Sequence, residues 1–345
     1  MDFLEKHKIK TFGPSQLAAK LEGSKIFTKK LCKKYKIPTA NFGVFYQPEQ
    51  AEEFVKNSNY PIVIKADGLA SGKGVYICEN NISAKKAILE IFGGKFGKAD
   101  QILIEEFLEG EEMSYFIISD GKNYKKFETA QDHKRVFEGD KGKNTGGMGA
   151  YSPSKLINEE LDKKILKKII EPTFKGLKDL GTNYKGFLYL GLMIKDSEPY
   201  LIEYNVRMGD PECQTILPKL KNDLIDVIIA CVENKLELIN LQWFEEKSLC
   251  VVLCSNGYPD NFKKEIEIKN LEKLNIIDDK KEFVFHAGTK IIDKKIYSNG
   301  GRVLNFVKKS QDFKKSRDDI IKLIEDLNWT NGFYRKDIGF KVIDE

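Results

Sequence analysis

The most informative stretch of the sequence is PIVIKADGLASGKGV, residues 61–75. It begins as a short apolar run ending in Lys65, which predicts a buried strand. The glycines that follow allow backbone N–H groups to approach phosphate oxygens closely, and the lysines add positive charge. The spacing matches neither GxxxxGKS/T nor GxGxxG followed by a helix, so a P-loop and a Rossmann fingerprint are excluded. We predict a phosphate-binding turn, and the alternative is a flexible hairpin loop. The candidate phosphate ligands are Lys65, Gly68, Ser71, Gly72, Lys73 and Gly74.

A second polar group lies in LIEYNVRMGDPECQ, residues 201–214. Glu203 and Asn205 occupy positions i and i+2 of a predicted strand, so both side chains point to one face. A carboxylate and an amide oxygen are suitable ligands for a hard cation such as Mg²⁺, which also binds phosphate oxygens. Arg207 falls on the same face, where a guanidinium is suited to clamp a phosphoryl oxygen, and the next turn places Asp210 nearby. The alternative is a surface ion pair on a strand.

Acidic residues also end the predicted strand in ILIEEFLEGEE, residues 102–112. Glu105 and Glu106 close the apolar run, in a position to face an adenine edge with side-chain and backbone groups. Glu112 lies beyond the turn, where it is placed to reach ribose hydroxyls. The alternative is an acid-rich turn that is only solvated.

Residues 131–153, QDHKRVFEGDKGKNTGGMGAYSP, are polar, rich in glycine and without periodicity. We predict a long loop, and loops of this length are usually functional or disordered. Asp132 to Arg135 form a dense polar group, and Gly146 to Gly149 offer further backbone donors. His133 is the residue suited to proton transfer, but an exposed histidine among cations is often only a binding or structural group.

Composition limits the class of protein. The 345 residues suggest about two domains, and 41% hydrophobic with 32% charged residues supports buried cores. No apolar run approaches the roughly 18 residues of a membrane span. The start, MDFLEKHKIK, is too charged for a signal peptide, so we expect a cytoplasmic protein.

The net charge of +5 is spread along the chain, which argues against a nucleic-acid-binding face. The six cysteines contain no CxxC pair, so buried thiols are expected rather than disulfides or a zinc site.

Helices and short strands alternate along the chain. Helices are predicted at 15–36, at 158–180 and near 314–327. The first is broken at Gly23-Ser24, and the second is expected to kink at Pro172. Residues 186–205 are predicted to form a strand hairpin. From about residue 245 short strands predominate, ending with GFKVI at 339–343, which indicates a separate small α/β domain.

These clusters, in this order, resemble the ATP-grasp superfamily, and within it the chain looks like the phosphoribosylamine–glycine ligase (glycinamide ribonucleotide synthetase) family. The matching stretches span nearly all of residues 12–340. They are FGPSQLAAKLEGSK, PIVIKADGLASGKGV, IEEFLEGEEMS, QDHKRVFEGDKGKNTGGMGAYSP, IEYNVRMGDPECQ, FHAGTK, NGGRVL and FYRKDIG. The TGGMGAYSP loop and the GDPE turn are more specific than the superfamily fold alone.

The resemblance implies an α/β (α+β) protein, with an ATP-grasp fold of two α+β subdomains and a small C-terminal α/β domain. The ATP-grasp domain would comprise residues 21–244, with the ATP-flap subdomain at about 40–112, and the C-terminal domain residues 245–345. The family normally begins with a Rossmann-like domain that carries a GGREH-type motif. Residues 1–20 look like only the last helix and strand of that domain.

The resemblance also implies a reaction. ATP would phosphorylate the carboxylate of glycine, and the amine of 5-phosphoribosylamine would attack the glycyl phosphate, giving glycinamide ribonucleotide, ADP and phosphate in purine biosynthesis. The implied cofactor is Mg²⁺ or Mn²⁺, and the implied protein is a cytoplasmic monomer with neither nucleic-acid nor membrane partners. The alternatives are another ATP-grasp carboxylate–amine ligase, or a truncated chain that binds Mg·ATP but ligates weakly or not at all.

The implied site residues follow the family motifs. Lys25 and Lys65 match the ATP-phosphate lysines, Gly68 to Gly74 the flap, and Glu203 with Asn205 the metal ligands. A further metal carboxylate that many ATP-grasp enzymes carry has no counterpart in GFLYLGLMI. The remaining positions are Glu105, Phe107 and Leu108 at the adenine hinge, Glu112 at the ribose, Arg207 at the γ-phosphate or acyl phosphate, Asp210 near the amino acid, and Asp132, Lys134, Arg135 and Arg302 at phosphoribosylamine. Lys65, Arg207 and Asp210 are the catalytic candidates.

Overall fold

A computed structural model describes residues 1–69, 74–274 and 281–343. The strands are β1 Phe42–Phe45, β2 Ile62–Ala66, β3 Val75–Cys78, β4 Ile102–Glu106, β5 Glu111–Asp120, β6 Tyr124–Lys126, β7 Gln131–Asp132, β8 Arg135–Phe137, β9 Lys141–Asn144, β10 Gly149–Ser152, β11 Lys185–Lys195, β12 Glu198–Asn205, β13 Lys247–Ser255, β14 Glu282–His286, β15 Thr289–Ile292, β16 Lys295–Ser298, β17 Arg302–Ser310 and β18 Gly332–Phe333. The α-helices are α1 Asp2–Lys6, α2 Lys20–Gly23, α3 Lys25–Tyr35, α4 Pro48–Lys56, α5 Asn81–Phe92, α6 Glu159–Ile165, α7 Glu171–Asp179, α8 Glu212–Ile216, α9 Leu224–Val232 and α10 Phe313–Leu327. Among these helices, none combines the length and the apolar composition that a membrane crossing requires.

The chain divides into two compact units. Unit 1 comprises Met1–Lys126, Ile157–Arg207 and Ile228–Leu238, and unit 2 comprises Phe127–Leu156, Met208–Val227 and Ile239–Glu345. The domain boundaries proposed above from the sequence stay a prediction.

The first sheet of unit 1 is antiparallel, with the strand order β1-β4-β2-β3. Alternate residues of β2 and β4, including Ile62, Ile64 and Ile104, join one apolar core with Ala51 of α4 and Ile88 of α5. Because side chains alternate between the faces of a strand, the intervening residues of β2 and β4 lie on the opposite face of this sheet.

The second sheet of unit 1 is also antiparallel, with the order β12-β11-β5-β6. The predicted hairpin over 186–205 is confirmed as β11 and β12. The predicted helix over 158–180 forms α6 and α7 with a π-helical turn, Leu166–Ile170, between them. Pro172 cannot donate to the carbonyl four residues earlier, which accounts for the irregularity at the predicted position.

Unit 2 is built on a six-stranded sheet with the order β14-β17-β13-β10-β7, and β18 pairs with β13. The apolar face of α10, including Ile320, Ile324 and Leu327, packs in one core with Val251 of β13 and Phe306 of β17. Two small hairpins, β8–β9 and β15–β16, also belong to this unit.

Three predictions about local structure are wrong. Residues 131–153 are not one loop, because they contain β7 to β10, with β10 between β7 and β13. The segment lacks periodicity since every residue of β10 is buried and every residue of β9 is exposed. GFKVI forms turns rather than a strand, because Gly339 adopts φ +85° and Phe340 N–H bonds back to the Asp337 carbonyl at 2.9 Å. Residues 1–20 contain α1 but no strand, since turns precede α2.

Candidate active site

One carboxylate fixes the N-terminus of α3 to the end of β2. Ser24 caps α3, and its hydroxyl donates to Asp67, whose carboxylate oxygens lie 3.1 and 3.0 Å away. Asp67 also accepts the Ile26 N–H at 3.2 Å, as is typical of an acid at a helix N-terminus. This link brings Lys25 to the turn after β2, where its ammonium donates to the Gly68 carbonyl at 2.9 Å.

A buried group of charges lies on the face of the first sheet opposite α4 and α5. In the register of β2 and β4, Lys65 is opposite Leu103 and Glu105 is opposite Val63. Lys65 and Glu105 are therefore diagonal neighbours on one face, and Lys65 Nζ lies 2.6 Å from Glu105 Oε2. Lys29 of α3 reaches the other carboxylate oxygen, with Nζ 2.9 Å from Oε1. Burial alone would raise the pKa of Glu105, but the two lysines outweigh that effect and hold the pKa below its ordinary value.

Lys25 belongs to the same electrostatic environment. Burial is the main cause that lowers its pKa, and the positive charge of Lys65 acts in the same direction. Glu203, Asp67 and Glu105 act on the same ammonium in the opposite direction, without cancelling the decrease. Two lysines and the carboxylate of β12, all singled out in the sequence, therefore lie within electrostatic range of one another in unit 1.

Glu22 organises the chain at the end of β12. Its carboxylate accepts the Val206 N–H at 2.9 Å and an N–H of the Arg207 guanidinium at 2.9 Å. The amide of Asn205 is best oriented with Nδ2 donating to Glu22 Oε1 at 3.2 Å and to the Tyr204 carbonyl at 3.3 Å. In that orientation the amide oxygen, which is the atom that ligates a cation, points away from those two acceptors.

The segment between β4 and β5 holds the hinge positions. Phe107 and Leu108 are half-buried, whereas Glu112 of β5 is exposed. Glu106, the last residue of β4, accepts the backbone N–H of Asn41 at 2.9 Å and its side-chain amide at 3.0 Å. The structure therefore directs the Glu105 carboxylate to lysines and that of Glu106 to Asn41.

The glycine-rich turn is described only at its two ends. Gly68 adopts φ +97°, a left-handed conformation that favours glycine. The Gly74 carbonyl accepts the Ala66 N–H at 2.8 Å, which closes the turn. The predicted contacts at Ser71, Gly72 and Lys73 lie outside the described residues.

In unit 2 a second polar group surrounds Arg302 at the start of β17. Its guanidinium donates to the carbonyls of Gly146 and Asp210, both at 2.6 Å, and lies 3.3 Å from the Asp210 carboxylate. The Gly146 N–H is bound by the hydroxyl oxygen of Tyr258 at 2.9 Å. Two predicted substrate residues, Arg302 and Asp210, are thus in direct contact, and Arg302 also binds Gly146 of the TGGMG stretch.

The other predicted residues of this group are only partly joined to it. A Cβ at Gly147 would lie 2.6 Å from Asp132 Oδ1 and 2.5 Å from the Pro211 ring, so Asp132 lies beside the same glycine pair. The Lys134 backbone carbonyl accepts a hydrogen bond from the Thr145 hydroxyl at 2.9 Å. Arg135 instead directs its guanidinium to the Gly142 carbonyl within the β8–β9 hairpin, at 2.7 Å.

His133 is a core residue, and the expectation of an exposed histidine is wrong. It is 1% exposed, lies between the rings of Tyr151 and Phe340, and accepts the Gly339 N–H at Nε2, 3.2 Å away. Burial, followed by the positive charge of Arg335, lowers its pKa to about 3. A structural role is therefore indicated, and a general base of ordinary pKa is not.

Sequence reasoning missed Lys29, Asp67, Glu22 and Tyr258. Asp67 had a signal, since an Asp–Gly pair follows the strand that carries Lys65. Lys29 had only a weak one, because α3 contains several lysines and only the helical spacing from Ile26 places this one on the buried face. Glu22 and Tyr258 gave no signal, because their partners are distant in sequence.

The donor set for a cation is small. The described residues contain no group of three or more His, Cys, Asp and Glu side chains arranged to hold a metal ion. Glu203 and Asn205, at adjacent same-face positions of β12, offer one carboxylate and one amide oxygen. Such a pair fits a magnesium-like ion that takes its other ligands from substrate phosphates and water.

The class of the protein follows from its match to family models. Residues 23–213 match the phosphoribosylglycinamide synthetase ATP-grasp (A) domain, and residues 248–341 match the phosphoribosylglycinamide synthetase C domain. The described α+β architecture and the lysine–carboxylate site therefore belong to an ATP-grasp protein, and the predicted fold class is confirmed. Proteins of this class use ATP and a divalent metal.

Individual proteins narrow the assignment. Phosphoribosylamine–glycine ligase of Brucella melitensis is 43% identical over 344 residues, which cover 99% of this chain and 80% of the relative. The chloroplastic phosphoribosylamine–glycine ligase of Arabidopsis thaliana is 45% identical over 345 residues, covering 99% and 65%. The crystal structure of phosphoribosylamine–glycine ligase from Thermotoga maritima gives a TM-score of 0.86 at 36% identity, covering 95% of this chain and 81% of that chain. The chain belongs to the phosphoribosylamine–glycine ligase family, which confirms the resemblance and the prediction of an ATP-dependent ligase.

Proposed function

We propose that the chain joins glycine to 5-phosphoribosylamine at the expense of ATP. In the first step a carboxylate oxygen of glycine attacks the γ-phosphorus of ATP, which forms glycyl phosphate and releases ADP. In the second step the amine of phosphoribosylamine attacks the glycyl carbonyl carbon, phosphate leaves, and the nitrogen loses a proton. Phosphorylation is needed because a carboxylate is a poor electrophile without a leaving group.

The observation that carries the proposal is the position of Lys25, whose ammonium donates to the Gly68 carbonyl at 2.9 Å in the turn that follows Lys65 and β2. Glu203 is among the charges that act on this ammonium. A site with two ammonium groups favours the negative charge of a triphosphate, and phosphoryl transfer depends mainly on positioning and electrostatic stabilisation. We assign both lysines to the phosphates and Arg207 to the γ-phosphate or acyl phosphate. Arg207 pairs with Glu22, which holds the guanidinium near the end of β12.

Glu203 and Asn205 are the residues that we propose to hold Mg²⁺ or Mn²⁺. Both are oxygen donors of the kind that hard divalent ions select, and Glu22 orients the Asn205 amide so that its nitrogen is already engaged. A bound ion would neutralise charge on the phosphates. The remaining ligands would come from phosphate oxygens and water.

The nucleotide itself is assigned to the residues that the family motifs indicate. Gly68 to Gly74 would cover the triphosphate, Phe107 and Leu108 would contact the adenine, and Glu112 the ribose. The Glu105 carboxylate lies between two lysines, so we assign it to holding Lys65 in addition to any contact with the base.

In unit 2 we assign Asp132, Lys134, Arg135 and Arg302 to phosphoribosylamine and Asp210 to the amino acid. The engagement of Arg302 with Gly146 and Asp210 supports a common binding role for these residues. We also propose a cytoplasmic location, because ATP, glycine and phosphoribosylamine are all charged and do not cross a bilayer unaided.

The test traps the intermediate chemically. Purified chain, Mg·ATP, glycine and hydroxylamine are incubated, and glycyl hydroxamate and ADP are measured, since hydroxylamine intercepts an acyl phosphate without the second substrate. We expect equal amounts of hydroxamate and ADP, with little product when L-alanine or L-serine replaces glycine. Adding EDTA should abolish both products.

The second half of the reaction needs phosphoribosylamine generated in the assay. Formation of glycinamide ribonucleotide, detected by mass spectrometry, would support the complete proposal. Hydroxamate formation with another amino acid in preference to glycine would replace it with a different carboxylate–amine ligase. Mg·ATP binding without hydroxamate formation would contradict it.

A further inference from the structure

The charges around Glu105 are unequal in number. Lys29, Lys65 and Glu105 are only 2%, 6% and 4% exposed, so water screens none of them well. The single carboxylate is shared by two ammonium groups, at 2.9 and 2.6 Å. A neutral buried pair needs only one cation for one anion, so the second lysine leaves this group with an excess of one positive charge.

Lys29 is fixed in place by groups outside the ion pairs. Its ammonium donates to the Thr39 hydroxyl at 2.5 Å, and that hydroxyl donates to the Leu201 carbonyl of β12 at 2.6 Å. The ammonium also lies 5.7 Å from the centre of the Phe42 ring. Lys29 is therefore connected through Thr39 to β12 at a position two residues before Glu203.

The effect on Lys65 follows from electrostatics. If Lys65 were the sole partner of Glu105, the two charges would cancel, and little positive charge would be left to attract a phosphate. Because Lys29 occupies Oε1, Glu105 holds Lys65 in position with Oε2 without neutralising the group as a whole. The excess charge is then balanced when an anion binds next to Lys65.

We propose that Lys29 is a positioning residue for ATP, which acts through Glu105 on Lys65 and adds one positive charge beside the position where the phosphates bind. The inference deepens the proposed function and rests on it, since it takes ATP as the ligand of Lys65. It assigns no direct contact with the nucleotide to Lys29.

The experiment compares Lys29→Met, which keeps the length of the side chain and removes its charge, with Lys29→Arg and Lys30→Met. Lys30 is the adjacent, exposed lysine of the same helix and serves as the matched control. We expect Lys29→Met to raise the KM for ATP by about tenfold with little change in the KM for glycine. Lys29→Arg should recover part of that loss, and Lys30→Met should behave like the wild type.

Binding of Mg·ADP, measured by calorimetry, separates this inference from the proposed function. Wild-type chain that binds no nucleotide would overturn both. If the wild type binds Mg·ADP and a folded Lys29→Met variant binds it with the same Kd, only the role of Lys29 is overturned. The same holds if the variant loses thermal stability while its Kd for Mg·ADP is unchanged.

A second variant covers the case in which Lys29→Met does not fold. Thr39→Val keeps both lysines and removes the hydroxyl that holds the Lys29 ammonium. We expect a smaller increase in the KM for ATP, about threefold, again with little effect on the KM for glycine. Equal increases in both KM values would show a general disturbance of the site and contradict the inference.

Discussion

At the scale of single residues, the burial of His133 has a consequence for stability. Burial lowers its pKa to about 3, whereas in the unfolded chain the value is near the ordinary 6.5. Between these values the unfolded state binds a proton that the folded state does not, so stability falls as the pH falls below about 6.5. Above about pH 7.5 the histidine is neutral in both states, and its contribution is constant.

We therefore expect the free energy of unfolding of unit 2 to decrease by about 2 kcal/mol between pH 6.5 and pH 5 through His133. Both tryptophans of the chain, Trp243 and Trp329, belong to unit 2, so urea unfolding followed by tryptophan fluorescence reports on it. The matched variant is His133→Gln, which keeps an acceptor for the Gly339 N–H but does not titrate. Identical pH dependence in the two proteins would show that His133 does not cause the loss.

Three lysines of unit 1 differ in how well the sequence predicted their roles. Lys65 ends a predicted strand before a run of glycines, and Lys25 was indicated by the resemblance to the family. Lys29 carries the same side chain in the middle of a lysine-rich helix. Only the fold shows that this lysine is buried and shares Glu105 with Lys65, because the pairing joins residues far apart in the chain.

At the scale of elements, the β8–β9 hairpin depends on one buried arginine. Arg335 donates to both carboxylate oxygens of Asp337, at 2.8 and 2.7 Å, and to Asp140 at 2.8 Å and the Arg135 carbonyl at 2.9 Å. Asp337 in turn accepts the Gly139 N–H at 2.8 Å. A planar guanidinium serves these acceptors at once, which a single ammonium does not.

We expect Arg335→Lys to destabilise unit 2 by about 2 kcal/mol, since several charge-assisted hydrogen bonds are lost while the charge remains. The hairpin should also open to trypsin, with cleavage after Lys141 or Lys143. Urea unfolding and the mass of the tryptic fragments measure the two effects. Lys336→Met, at the adjacent exposed position, is the control, and similar cleavage of both variants would contradict the role of Arg335.

Elements with a regular pattern were predictable, and those that depend on distant partners were not. Pro172 marked its own helix irregularity, and residues 186–205 were predicted as the strand hairpin that β11 and β12 form. Residues 131–153 gave no such pattern, because β10 is buried on both faces and β9 on neither. β10 forms a strand because β13 supplies its pairing edge, and β7 in turn pairs with β10, which a local pattern does not reveal.

At the scale of the whole molecule, the order of motifs was more informative than any one of them. Each cluster had a plausible alternative, a hairpin loop, a solvated turn or a surface ion pair, and only their succession indicated an ATP-grasp ligase. The fold then separates the predicted residues by unit. Those assigned to ATP and the metal lie in unit 1, whereas Asp132, Lys134, Arg135, Asp210 and Arg302 lie in unit 2.

This separation predicts which backbone amides each ligand protects from hydrogen exchange. Mg·ADP should slow exchange in unit 1, at the ends of β2 and β4 and around Asn205, because bound ligand stabilises the segments that it contacts. Glycinamide ribonucleotide, added without nucleotide, should slow exchange in unit 2, around Gly146 and the start of β17. Mass spectrometry of peptic fragments measures both patterns on the intact chain. A nucleotide effect that EDTA leaves unchanged would contradict the metal assignment to Glu203 and Asn205, and protection of unit 2 by Mg·ADP alone would contradict the division of ligands between the units.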